Sequence, residues 1–204
     1  MTYEELFEKI EELRGTYNAF AVAIDGMARA GKTTLAACLS KKYGAPVVHL
    51  DDFRLPVRER ARGWETVPGG DMDFERFEEE IVAPWMEKRP LVYTTVDPET
   101  GELLDRRALP DGQMFIFEGT YIMHPMIRDF FDLRLFVRVG RETQAERLAA
   151  WEKKSGDGAG ASRLSLEQAY FDAYMTEALA DGTVDGEIPL PAPDPVSPAE
   201  PENP

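Results

Sequence analysis

The chain has 204 residues and a formal net charge of −15, from 38 acidic against 23 basic side chains. That length suits one α/β domain with a sizeable core and short appended segments, and leaves little room for a second domain. The negative field repels nucleic acid and anionic membrane surfaces, which excludes a general binder of either.

The lone cysteine, Cys38, excludes an intramolecular disulfide and a multi-cysteine zinc site, and fits a reducing compartment. No apolar run reaches membrane-spanning length, and the acidic start lacks the basic and apolar regions of a signal peptide, so a cytoplasmic location is expected.

Residues 2–14 read as a helix, with Thr2 and Glu5 in capping-box spacing and Leu6, Ile10 and Leu13 on one face. Ala19 to Ile24 is a nearly continuous apolar run, the pattern of a parallel strand buried on both faces. Gly26, Met27, Ala28, Arg29, Ala30, Gly31, Lys32 and Thr33 then match GxxxxGK(S/T), a phosphate-binding loop between strand and helix. Polyphosphate must be wrapped by backbone N–H groups, and the two glycines let the chain turn tightly against its oxygens. Lys32 is expected to reach the β- and γ-phosphates and Thr33 to ligate Mg²⁺, while the helix running on through Thr34 turns its positive end to the anion. Leu35, Cys38 and Leu39 mark that helix's inner face, with Cys38 as apolar filler, and Gly44 its end.

Pro46 to Leu50 makes a second short strand that ends in Asp51, Asp52 and Phe53. In an open parallel sheet the ligand crevice lies beyond the carboxyl ends of the strands, so these carboxylates emerge near the loop. Asp51 is the candidate to accept the proton of an attacking hydroxyl. Arg54, Arg58, Arg60 and Arg62 crowd the next polar stretch and either grip an anion or belong to a solvated loop. Asp71 and Asp73 precede a helical pattern carrying Phe74, Phe77, Ile81 and Trp85, and are candidate substrate contacts.

Residues 90–112 suggest a β-hairpin turning at Asp97-Pro98-Glu99-Thr100-Gly101, with Tyr93 and Asp97 as further candidate contacts. Met114 to Gly119 is an apolar strand ending in Glu118, the best metal-side carboxylate outside the loop. Leu133 to Val137 is another buried strand. Arg141 to about Lys154 is a helix bearing Arg147, Lys153 and Lys154, which leads to the glycine-rich 156–161 as a lid tip. Basic side chains there either neutralise a transferring phosphoryl group or form an ordinary charged face. Leu164 to Ala180 is a helix with Leu166, Tyr170, Tyr174 and Ala178 as its stripe, and Val184 starts a last strand. The Pro-rich, acidic 187–204 reads as a disordered tail, which leaves 1–186 as one domain with its lid at about 141–163. His49 and His124 have no zinc-type partners and read as structural.

Four blocks in order, AIDGMARAGKTTLA, VVHLDDF, FIFEGTYIMHP with FFDLRLFV behind it, and ERLAAW, resemble the uridine kinase-like branch of the P-loop small-molecule kinases. That branch includes nicotinamide riboside kinase, pantothenate kinase and phosphoribulokinase, and the resemblance covers roughly residues 15 to 185. It implies a three-layer P-loop fold, a mainly parallel sheet flanked by helices, with a small lid. It further implies ATP and Mg²⁺ as cofactors, Asp51 as general base, Lys32 and Thr33 as phosphate and Mg²⁺ residues, and Glu118 as a second carboxylate near the metal. Arg147 joins the nucleotide-binding set, and Asp52, Phe53, Asp71, Asp73 and Tyr93 fall where such kinases shape the acceptor pocket. The sequence departs from the pattern at Trp151, where a lid arginine is expected, and at Met27, Ala28 and Ala30, where small Ser or Gly residues are common.

The expected activity is transfer of the γ-phosphoryl of Mg·ATP to a hydroxyl of a small molecule, with a nucleoside or nucleoside-like alcohol as the default acceptor. A phosphorylated sugar or other anion, and a nucleotide-binding regulatory protein with faded activity, are the alternatives. The oligomeric state is open.

Overall fold

The computed structural model describes residues 1–97, 100–155 and 160–191. Helix α1, Tyr3–Thr16, opens on the expected capping box: Thr2 accepts from the Glu5 amide, and Glu5 reaches back to the Thr2 amide at 2.8 Å. Strand β1, Phe20–Gly26, is buried along its whole length. Helix α2, Lys32–Tyr43, ends on Gly44 in the left-handed conformation. Strand β2, Val47–His49, passes directly into a 3₁₀ turn over Leu50–Phe53.

Helix α3 follows in three joined turns, α over Phe74–Phe77, π over Glu78–Val82 and α again over Ala83–Met86. Pro84 has no N–H to give the Glu80 carbonyl, and the wider π turn absorbs that missing bond. Strands β3, Val92–Val96, and β4, Leu103–Ala108, pair antiparallel as the expected hairpin, whose turn residues Pro98 and Glu99 lie outside the described residues. Strands β5, Met114–Glu118, and β6, Leu133–Arg138, precede helices α4, Arg141–Ser155, and α5, Gly160–Tyr174, and strand β7, Gly182–Asp185.

The main sheet has the order β2-β5-β1-β6-β7, and every pairing in it is parallel. Period-two alternation divides the side chains of β1 between two cores. Phe20, Val22 and Ile24 join Leu6, Ile10, Leu35 and Leu39 from α1 and α2. Ala21 and Ala23 face the aromatic side, where Phe53, Phe77, Tyr93, Phe117 and Tyr170 pack. The strand order reverses around β1, so the crevice of the sheet opens at the carboxyl ends of β1, β2 and β5.

Three expectations need adjusting. Cys38 is only partly buried, because Ala36 and Leu39 take the inner positions of α2. Helix α5 stops at Tyr174, short of Ala180. Residues 187–190, assigned to the tail, are docked: Glu187 accepts the Gly140 amide at 2.7 Å, and the Tyr3 hydroxyl donates to the Ile188 carbonyl at 3.1 Å. The rest of that tail from 192, and residues 156–159 of the lid tip, lie outside the described residues. Among the described residues, no helix is long and apolar enough to cross a membrane.

Candidate active site

The loop joining β1 to α2 depends on two glycines. Gly26 has φ 129°, and a Cβ there would sit 2.0 Å from the Val137 carbonyl oxygen of β6. Gly31 has φ 110° and caps α2 with no side chain in the way. Arg29 adopts φ 61° without being glycine, a left-handed conformation that costs a side-chain-bearing residue about 1 kcal/mol. The amides opening α2 have no carbonyl four residues earlier within the helix to bond, an arrangement that suits an anion. Lys32 is folded back, donating to the carbonyls of Gly26 at 2.8 Å and Met27 at 3.1 Å.

Beneath the loop, Asp25 is fully buried and takes three donors: the Gly26 amide at 2.7 Å, the Met123 amide at 3.0 Å and the Tyr170 hydroxyl at 2.7 Å. Burial raises its carboxyl above the ordinary Asp range, against the opposing pull of those donors. The start of the loop is thereby tied both to the chain after β5 and to α5.

Glu118 ends β5 in register with Ile24 of β1 and His49 of β2. Its Oε1 accepts the Thr33 hydroxyl at 3.1 Å and shares a hydrogen bond with His49 Nδ1 at 2.6 Å. That bond raises the His49 pKa, and burial opposes it. Thr33 and Glu118, the expected metal pair, are thus brought together, and His49 joins the site although it reads as structural in the sequence. A hydroxyl and a carboxylate are hard oxygen donors suited to Mg²⁺, which keeps several waters and leans on substrate phosphates. Among the described residues, no group of three or more His, Cys, Asp or Glu side chains is placed to hold a metal ion.

Asp51 stands at the same rim with its side chain 72 % exposed, and Arg54 donates to it at 2.8 Å. Arg54 also pairs with buried Asp71. Asp52 is half-buried and accepts the Tyr93 hydroxyl at 3.2 Å. Burial raises its carboxyl, against the hydrogen bond from Tyr93.

Three candidate substrate residues are withdrawn from direct contact. Phe53 and Tyr93 are fully buried and stack at 5.5 Å, and Tyr93 reaches the crevice through its hydroxyl, which holds Asp52. Asp73 spends its carboxylate on the N-cap of α3, accepting the Arg76 amide at 3.0 Å and Arg76 Nε at 3.3 Å. Two more arginines of the cluster are likewise engaged: Arg58 pairs with Glu102 and Glu59, and Arg60 donates to the Leu55 carbonyl and lies over the Trp64 ring.

On the other side of the loop, Arg147 of α4 donates to the carbonyls of Arg29, Ala30 and Gly186 at 3.1–3.3 Å. It borders an open cavity of about 440 Å³ that Gly31, Thr34, Val184 and Ile188 also line. Trp151, standing where a lid arginine is expected, carries the Arg29 guanidinium over its ring at 4.1 Å. Lys153 and Lys154 are exposed.

With this geometry, the chain superposes on a possible uridine kinase from Bacillus stearothermophilus with a TM-score of 0.62, at 22 % identity, over 89 % of this chain and 100 % of that one. Phosphoribulokinase from Rhodobacter spheroides follows with a TM-score of 0.58, at 12 % identity, over 82 % of this chain and 70 % of that one. The chain has the fold of the uridine kinase-like P-loop kinases. No protein-family model matches its sequence, and no curated protein matches it either.

On this P-loop kinase fold, two polar residues absent from the sequence-derived site reach the loop. Gln144 of α4 and Glu167 of α5 are both buried and both bond to Ala28. A signal existed for Glu167, which lies three residues before Tyr170 and seven before Tyr174, placing an acid within an otherwise apolar helical stripe. For Asp25 there was none beyond a charge inside a buried strand.

Proposed function

We propose that this chain is an ATP-dependent phosphotransferase that moves the γ-phosphoryl group of Mg·ATP to a hydroxyl of a small uncharged molecule, with a nucleoside or nucleoside-like alcohol as the acceptor class. The observation that carries this reading is the 3.1 Å hydrogen bond from Thr33 to Glu118, which joins a strand-end carboxylate to the P-loop hydroxyl at the rim where Asp51 also emerges. When bound, Mg²⁺ would neutralise charge on the β- and γ-phosphates from this pair.

The remaining work falls to the chain's own groups. Lys32 exchanges the Gly26 and Met27 carbonyls for phosphate oxygens, and the amides opening α2 hold the polyphosphate in place. Asp51, steadied by Arg54, orients the acceptor hydroxyl and takes its proton. The cavity beside Arg147 receives the base and ribose of the nucleotide. Catalysis is then mainly positioning and electrostatics.

An uncharged acceptor is favoured over a sugar phosphate by charge. Asp51, Asp52 and Asp71 outnumber the cations beside them, Arg54, which Asp51 and Asp71 share, and Arg107 near Asp52, while Arg58 and Arg60 are committed to other partners. A screen of ADP release across nucleosides, vitamins, sugars and sugar phosphates tests this. Turnover with uncharged hydroxyl compounds is expected. Turnover confined to sugar phosphates contradicts the acceptor class, and ATP binding without turnover on any acceptor contradicts the kinase reading.

A further inference from the structure

Glu167 brings a negative charge to a loop built to receive one. Its side chain, 5 % exposed, leaves α5 and accepts the Ala28 amide on Oε2 at 2.6 Å. Its other oxygen accepts Gln144 Nε2 at 3.0 Å, and the same nitrogen donates to the Ala28 carbonyl at 3.3 Å. Residue 28 is therefore gripped at its amide by one helix and at its carbonyl by another. Burial raises the Glu167 carboxyl, and the Lys32 ammonium is the strongest influence favouring its ionised form. Lys32 is also the side chain expected to serve the β- and γ-phosphates.

We propose that Glu167 is an internal competitor for polyphosphate and a selectivity residue of the nucleotide site: its carboxylate engages a P-loop amide beside Lys32 and so penalises a triphosphate more than a diphosphate. This rests on the reading of the loop as a nucleotide site. The physical basis is that repulsion between like charges at short range in a partly desolvated site grows with the charge of the ligand. A discriminating element of this kind works by repulsion, not by an added contact.

The test is calorimetric titration of the full chain with ATP and with ADP, each with Mg²⁺, for the wild type, Glu167→Gln and Glu167→Asp. Glutamine keeps an acceptor for the Ala28 amide and removes the charge, whereas aspartate keeps the charge and withdraws it by one methylene. Glu167→Gln is expected to bind ATP about tenfold tighter and ADP no more than about threefold tighter, with Glu167→Asp between it and the wild type. A purely structural Glu167 would give weaker binding instead. Unchanged or weaker ATP binding in the folded variants, or equal gains for the two nucleotides, overturns the proposal. A wild type that binds neither nucleotide contradicts the nucleotide-site reading, and the proposal falls with it.

Discussion

The Thr33 hydroxyl donates to Glu118 Oε1 across 3.1 Å, joining the first turn of α2 to the last residue of β5. Both oxygens lie at the rim where the strand order reverses. Glu118→Gln keeps the size and one acceptor but loses the charge that would hold a cation. Turnover is expected to fall about 100-fold and the Mg²⁺ concentration for half-maximal rate to rise, while ATP binding changes only a few-fold. Rates measured across a Mg²⁺ titration check this.

Gly26→Ala tests the close approach of β6 to the loop. An added Cβ would meet the Val137 carbonyl oxygen at 2.0 Å, and both partners are backbone, so neither can yield cheaply. A loss of roughly 3 kcal/mol in urea unfolding is expected, with loss of nucleotide binding. Gly15→Ala in α1, where a Cβ meets nothing within 4 Å, is the control and should gain about 0.5–1 kcal/mol.

His124 supplies a pH signature. It stacks on Phe74 at 4.4 Å, and burial, helped by Arg128, lowers its pKa from 6.5 to about 4. A base with a depressed folded pKa binds fewer protons folded than unfolded between those two values. Its contribution to stability is therefore complete above 6.5 and is lost as the pH falls towards 4. His124→Phe, which preserves a ring against Phe74, should flatten that part of the stability profile, as read from urea midpoints between pH 4 and 7.

The loop, the strand and helix on either side of it, and the position of Glu118 at a strand end were legible in the sequence because each is a local pattern, whereas the contact of Glu118 with Thr33, 85 residues away, is seen only in the fold. A glycine-bounded loop needs its two glycines, and a carboxylate ending an apolar strand has no cheap structural purpose. The roles of Phe53, Tyr93 and Asp73 were not legible, since whether a side chain lines a crevice or fills the core depends on how α3 and the β3–β4 hairpin close over it. The π turn at Glu78–Val82 was hidden because the apolar spacing of Phe74, Phe77 and Ile81 fits an ordinary helix. Glu167 and Gln144 come from helices more than 100 residues beyond Ala28, so only the fold could reveal their contact with it.

The central claim is tested most directly by comparing wild type with Asp51→Asn, measuring ATP binding and acceptor-dependent ADP release on the same preparations. Asparagine keeps the shape of the side chain and removes its capacity to take a proton. ATP affinity within about threefold of wild type, with turnover reduced at least about 1,000-fold, is the expected result. Turnover that persists in Asp51→Asn at a similar rate would contradict it.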